Sequence, residues 1–364
     1  MKKKIYGGAS LVVTRNDETV FDESIGFADK QRKREVAKRQ VFATMSVGKN
    51  LTVASLLQRI DRGDAAFTDL VTDHIPEFGC RGKERTTMVD LLTQRTGIPN
   101  EIQALQADQF GNLEAVVAAV SGSLPGTEPG GPVNYSYFFN HAIMAEIVRR
   151  LDGGKRRFRD IIRTDLFDPL AMADTSMGLP AEKVAESAEI YPVFDQAGLF
   201  DPEMIAIFGM MLPQMPDAEI PGGGYFSTAS DLSRFARMLC NGGELDGVRI
   251  LSEPMVERLH RCETGTQTNS LWDYTRGMRN WRPIPADLSL GFFMRGENTH
   301  PTPFGILALS RTIGGVGAGS TCFWVDPVRK MTYSFMSAGL MEDSYSVERH
   351  QRLSDLVFSS IVRL

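Results

Sequence analysis

Phe42-Ala43-Thr44-Met45-Ser46-Val47-Gly48-Lys49 is the stretch on which the reading of this chain turns. From Ser46 onward, apolar residues recur at helical steps (Val47, Leu51, Ala54, Leu57, Ile60), with Gly63 as a stop. A spacing of three on that helix puts Ser46 and Lys49 on one face, one turn apart. A serine at a helix N-terminus feels the positive end of the dipole, which favours developing negative charge. Its hydroxyl is a poor nucleophile until a neighbour takes its proton. A lysine whose pKa is lowered by burial or adjacent positive charge is such a neighbour. A chain of this length holds about one SxxK by chance. Alone, the motif therefore reads as an ordinary helix start followed by a solvated lysine.

Upstream, Ala9 to Val13 and Thr19 to Phe27 are short apolar or β-branched runs around the polar turn Arg15-Asn16-Asp17-Glu18, a hairpin signal. A basic loop, Lys30 to Arg39, follows. Residues 65 to 215 alternate helical stretches with Pro/Gly loops; Ala142 to Leu151 predicts a helix and Leu124 to Pro132 a loop. Gly222-Gly223-Gly224 breaks the chain, and Ser230-Asp231 then opens an amphipathic helix through Leu239. Cys322 to Val325 and Met331 to Met336 read as strands joined by Asp326-Pro327-Val328-Arg329, and Val347 to Val362 as a closing helix. Strands at both ends with helices between them predict an α/β (α+β) fold: one antiparallel sheet built from both chain ends, flanked by helices, with a mainly helical lobe inserted. A single domain over 1–364 is expected, its α/β lobe at about 1–60 and 220–364 and its helical lobe at about 61–219, with a cleft at the boundary.

Composition narrows the function classes. The chain has 364 residues, 42% hydrophobic and 23% charged, ordinary values for a soluble globular protein. A net charge of -5 with no basic cluster gives no electrostatic reason to bind nucleic acid. Cys80, Cys240, Cys262 and Cys322 lie far apart without a CxxC pair, which suits reduced or buried thiols in a cytoplasmic protein. His74, His141, His260, His300 and His350 show no metal-binding spacing, so no metal and no cofactor is expected. Met1-Lys2-Lys3-Lys4 begins like a signal peptide, but the apolar stretch after it is short and holds Gly7 and Gly8. No run approaches the roughly 20 apolar residues of a membrane span. A cytoplasmic protein acting on a small molecule, with neither a membrane nor nucleic acid as partner, is the expectation; oligomeric state is not legible.

Other blocks give the SxxK its company. They are Leu91-Leu92-Thr93-Gln94-Arg95-Thr96-Gly97-Ile98-Pro99, Phe167-Asp168-Pro169-Leu170-Ala171-Met172, and Gly223-Gly224-Tyr225-Phe226-Ser227-Thr228-Ala229-Ser230-Asp231-Leu232. Asn241-Gly242-Gly243, Asp246 to Ser252, and Phe323-Trp324-Val325-Asp326-Pro327 follow. With Phe42 to Lys49 as the nucleophile segment, this series resembles the class C β-lactamase and penicillin-binding-protein-like serine hydrolase superfamily. That group includes serine β-lactamases, DD-peptidases, family VIII carboxylesterases and related acyltransferases. The blocks resemble its "LLTHTSGLP", "PLGM" and "GGLFSTAxDL" elements in family order, from about residue 6 to 340. In character the chain is closest to the family VIII carboxylesterases.

The resemblance implies a β-lactamase/DD-peptidase-like fold, with Ser46 as nucleophile and Lys49 as its basic partner. The family's second motif, Tyr-x-Asn, is matched by Tyr135-Ser136-Tyr137 in its first two residues, which makes Tyr135 the candidate proton shuttle to the leaving group. Tyr137 stands where the family has asparagine and is a candidate substrate contact; Asn134 or Asn140 could replace the missing amide. The third motif falls at Gly315-Val316-Gly317 followed by Ala318, or in an alternative alignment at Ile313-Gly314-Gly315-Val316. Either lacks the cation that lactamases and peptidases of the family use to hold a substrate carboxylate, although Arg311 is near in sequence. The implied oxyanion hole is the backbone N–H of Ser46 and of Ala318.

These readings favour a carboxylesterase: a small-molecule ester acylates Ser46, and Lys49 and Tyr135 serve as general base and acid. Acyl transfer to an alcohol or amine shares the first half-reaction. β-Lactamase or D-amino-acid peptidase activity is weakened by the missing cation. A non-catalytic binding protein of the same fold is the fourth reading. Met204, Met210, Met211 and Met215, with Ile205, Ile207 and Phe208, form either core or an adaptable acyl pocket or lid. Trp272, Tyr274, Trp281, Phe292 and Phe293 either line a pocket or pack.

Overall fold

In the computed structural model, which describes residues 7–194 and 198–361, the two hairpins read from opposite ends of the sequence join a single antiparallel sheet. Its strands are β1 (Ala9–Arg15), β2 (Glu18–Ile25), β3 (Phe293–Met294), β4 (Ile313–Gly317), β5 (Thr321–Asp326) and β6 (Met331–Ser337). They lie in the order β2-β1-β6-β5-β4-β3. The first hairpin turns at Asn16 and Asp17, both at positive φ (50° and 67°), as a tight two-residue connection requires. At the other end of the chain, β1 runs beside β6 from Ala9↔Ser337 to Arg15↔Met331.

Helices cover both faces of this sheet. Alternate residues of β5 show it: the Phe323 ring meets Phe235 of α4 (Ala229–Cys240) at 5.8 Å, while Trp324 stacks on Phe358 of α6 (Asp343–Ser359) at 4.5 Å. Side chains alternate across a strand, so a strand covered on both sides reads as an unbroken apolar run. Trp324 Nε1 also donates to Ser354 Oγ at 2.9 Å. The remaining helices used below are α1 (Gly48–Asp61), α2 (Phe139–Leu151), α3 (Pro202–Met211) and α5 (Leu271–Arg279).

Three helix boundaries differ from the sequence reading. The helix expected from Ser46 starts as a 3-10 turn, Met45–Val47, and becomes α-helical at Gly48. α2 begins at Phe139 rather than Ala142. The closing helix begins at Asp343 rather than Val347, because Glu342, an unusual cap, accepts the N–H groups of Ser344 and Tyr345. It ends at Ser359; Val362, like Met1 to Lys4, lies outside the described residues. Among the described residues no helix is long and apolar enough to cross a membrane.

Two packing details place the site. A small sheet pairs Phe42–Ala43 with Tyr225–Ser227, which sets the nucleophile segment beside the triple-glycine segment. On its outer side β4 pairs with β3 only through Ile313 and Gly314, so its edge from Gly315 to Gly317 lies open to the nucleophile turn. A Cβ on Gly317 would come within 2.1 Å of Thr321 Oγ1 and 2.6 Å of Thr44 O. Thr321 Oγ1 itself donates to Thr44 O at 2.7 Å. Gly317→Ala is therefore expected to overpack this crossing and lower stability by about 1–3 kcal/mol, measured by urea unfolding. An unchanged midpoint would show that the turn gives way freely.

Candidate active site

Met45 holds an unusual positive φ of 49°, in a turn that presents Ser46 at the head of α1. One turn on, Lys49 Nζ lies 3.1 Å from Ser46 Oγ, although the side chain is only 4% exposed. The amine donates to two main-chain carbonyls, Tyr137 O at 2.6 Å and Gly222 O at 2.5 Å. A neutral amine has two N–H bonds and one lone pair. Two acceptors take the N–H bonds, and the lone pair is left for the serine hydroxyl proton. Burial is the cause that lowers the Lys49 pKa, to about 7, so this neutral form is accessible near neutral pH.

Tyr135 completes the cluster. Its phenol shares the cavity with Ser46, and burial raises its pKa well above the usual tyrosine value, so it stays a protonated phenol rather than a tyrosinate. Lys49 Nζ sits 5.2 Å from the centre of its ring. The backbone around it is clamped from three sides. Asn100 Nδ2 donates to Tyr135 O and Asn100 Oδ1 accepts from Tyr137 N, both at 2.8 Å. Gln94 Oε1 accepts from Ser136 N, and Ser270 Oγ from Tyr135 N. His141, on α2, is fully buried and held neutral by burial and by the nearby Lys49.

Several sequence expectations change here. Neither Asn134 nor Asn140 replaces the missing amide: Asn134 Oδ1 accepts from Ser270 Oγ, and Asn140 Oδ1 accepts from Thr96 Oγ1. The Tyr137 side chain points at Phe200 (5.4 Å between rings), while its carbonyl holds Lys49. Arg311 turns away to Glu257, 2.7 Å from both carboxylate oxygens. Gly222, read only as a chain break, is a direct partner of Lys49. Its lack of a side chain matters, since a Cβ there would lie 2.8 Å from Tyr137 O. Asn100 closes the "TGIPN" block and could have been flagged by position; Phe200 carries no sequence signal.

Two cavities meet at Ser46, each enclosing about 550–560 Å³ of atom-free space, part of it open to solvent. One is apolar, walled by Phe138, Ile205, Phe208, Leu212, Ile220 and Gly222 to Gly224. The other has Tyr135, Trp272, Asp343, Ser346 and His350 in its walls. Phe200 and Ala318 border both. Val316, Gly317 and Ala318 face the second cavity; Gly315 instead backs onto Asn50, and Ile313 and Gly314 lie in the sheet. The methionine expectation fails in part: Met204, Met210 and Met211 face solvent, and it is Ile205 and Phe208 of α3 that line the apolar cavity. Trp272 and Phe293 lie at the site, the latter stacked 6.2 Å from Tyr135, whereas Phe292 is fully buried core. Among the described residues no group of acidic, His and Cys side chains is arranged to hold a metal.

The family model for Beta-lactamase matches residues 1–357. Esterase/beta-lactamase LipL of Mycobacterium tuberculosis is 25% identical, over 92% of this chain and 78% of its own length. Among solved structures, a penicillin-binding protein homolog from Caulobacter crescentus superposes with a TM-score of 0.78 at 23% identity, covering 98% of this chain and 93% of that one. A family VIII carboxylesterase gives the same TM-score at 20% identity, over 96% and 93%.

If Lys49 is the base, reactivity follows its neutral fraction. The amine is protonated below its pKa of about 7, so labelling of Ser46 by a fluorophosphonate should rise about tenfold per pH unit up to that point and then level off. Mass spectrometry of the labelled chain between pH 5.5 and 9 reads this directly, and Lys49→Met should remove the rise. A flat profile excludes Lys49 as the base.

Proposed function

The chain belongs to the beta-lactamase family and is a serine hydrolase of that superfamily, and we propose that it cleaves carboxylic esters through a covalent acyl-enzyme on Ser46. The observation that carries this reading is the position of the Ser46 hydroxyl. It lies between a buried amine and a buried phenol, at the junction of an apolar cavity and a more polar one.

In this mechanism Ser46 Oγ attacks the ester carbonyl as its proton moves to Lys49. The backbone N–H groups of Ser46 and Ala318 stabilise the oxyanion, an interaction worth about 3–4 kcal/mol per donor. Tyr135 gives its phenolic proton to the departing alkoxide as it takes up the proton held by Lys49, so the alcohol leaves on the Tyr135 side and Lys49 is neutral again for deacylation. The acyl group occupies the apolar cavity. Water activated by Lys49 then attacks the acyl-enzyme and frees Ser46. No cofactor takes part.

Two features favour esters over β-lactams or D-peptides. The third-motif segment carries no cation, and Arg311 is paired with Glu257. A substrate carboxylate would thus find no positive partner among the described residues that line either cavity. LipL, an esterase/beta-lactamase, and the family VIII carboxylesterase are compatible with an esterase reading.

Short-chain p-nitrophenyl esters should be hydrolysed, and Ser46→Ala should lose at least about 10³-fold in kcat/KM. Tyr135→Phe should slow esters with poor leaving groups more than p-nitrophenyl esters, whose phenolate leaves without a proton. Faster turnover of a chromogenic cephalosporin than of every ester, or full ester turnover by Ser46→Ala, overturns the proposal.

A further inference from the structure

The walls around Ser46 are asymmetric in charge. Among the described residues the apolar cavity holds no titratable side chain, whereas the Tyr135-side cavity carries Asp343, and a smaller hollow next to it adds Glu342. Among the described residues that line these three spaces there is no Lys or Arg. The one imidazole, His350, is fully buried and kept neutral by burial and by Arg349 beside it. Arg349 packs behind this wall without lining the cavity: it donates to Gly319 O at 3.1 Å and Ser337 Oγ at 3.4 Å and lies 3.3 Å from His350 Nε2.

Asp343 opens α6, and its Oδ2 accepts the Leu199 N–H at 2.7 Å. That bond fixes the residue before Phe200, which walls both cavities. Tyr135 and Trp272 line the same space; the Tyr135 ring is stacked by Phe293 at 6.2 Å and has Lys49 Nζ over it at 5.2 Å, while Trp272 lies 5.6 Å from Phe293. A cation placed there meets a carboxylate and the Trp272 indole, both attractive to positive charge. An anion meets like charge.

We propose that Asp343 makes the Tyr135-side cavity a cation-selective site for the leaving group, so that the preferred substrates are esters of amino or quaternary-ammonium alcohols. The inference rests on the ester-cleaving reading above, which places the departing alcohol on the Tyr135 side. Burial, reinforced by the neighbouring charge of Glu342, raises the Asp343 pKa only to about 6, so the carboxyl is charged at pH 7.5.

The test compares three acetate esters at pH 7.5: that of choline, that of its uncharged dimethylbutanol isostere, and that of the anionic alcohol isethionate. Wild type should favour the choline ester over the isostere by about tenfold or more in kcat/KM and should turn over the isethionate ester least. In Asp343→Asn, which keeps an oxygen for the Leu199 N–H, the choline preference should fall to about onefold. Equal use of the charged and uncharged esters by wild type, or an unaltered preference in the variant, overturns the assignment. Calorimetry with choline and with dimethylbutanol provides a readout independent of turnover. Choline binding stronger than that of its isostere supports Asp343 even if no ester is cleaved, whereas equal binding overturns it. The wild-type measurements decide the matter if the variant does not fold.

Discussion

The desolvation of one amine is the constraint on which the site depends. Lys49 is nearly inaccessible to water, and a buried ammonium is costly unless its charge is compensated. Among the described residues the amine has no carboxylate hydrogen-bond partner; Tyr137 O and Gly222 O receive its N–H groups instead. Carbonyl dipoles satisfy the hydrogen-bonding capacity of a neutral amine without supplying the full negative charge that would hold a proton on it. The arrangement thus produces a base at neutral pH by withholding a counter-charge. A carboxylate within hydrogen-bond reach would raise the pKa and weaken the base.

That arrangement demands close approach between segments far apart in sequence. The carbonyls come from the Tyr135-Ser136-Tyr137 loop and from the glycine turn at 222, and each must reach an amine on α1. Gly222 permits one approach, since any side chain there would press on Tyr137 O and Phe138. Thr52, one turn beyond Lys49, donates to Pro221 O at 2.8 Å and so ties α1 to the same turn. On the other flank, Gly317 lets the open edge of β4 cross the nucleophile turn. Packing, rather than any residue's intrinsic chemistry, sets a common serine beside a buried lysine in the geometry that the proposed mechanism uses.

The sequence carried the fold in its punctuation and its apolar runs. The Asn16-Asp17 turn, the β5–β6 hairpin and α4, capped by Thr228, all had local signals. Boundaries slipped where the local device is unusual: α6 starts early because Glu342, a rare cap, accepts the Ser344 and Tyr345 N–H groups, and α1 starts late because Met45, at positive φ, opens a 3-10 turn that holds Ser46. At the site, Ser46, Lys49 and Tyr135 were legible because each has a side chain suited to the chemistry and a fixed place in a series of blocks. The two carbonyl partners were not, since a main-chain oxygen is present at every residue and only tertiary structure selects which one faces the amine. Tyr137 illustrates the difference: its side chain broke the expected pattern, while its backbone took over a holding role. Asp343 was invisible for another reason, because nothing in the first turn of the last helix indicates which cavity it will face.

The same burial that lowers the Lys49 pKa also limits how long the amine can keep a proton. His141, close by and held neutral, supplies no negative charge to hold that proton. A proton taken from Ser46 therefore raises the energy of the site until it moves on. Tyr135, beside Ser46 and unable to ionise easily, is suited to relaying a proton rather than retaining one. An alkoxide leaving group is a far stronger base than either, so the proton's descent ends on the substrate. In this account the burial of Lys49 both starts the reaction and drives its proton towards the leaving alcohol, which is why the walls around that alcohol bear on specificity.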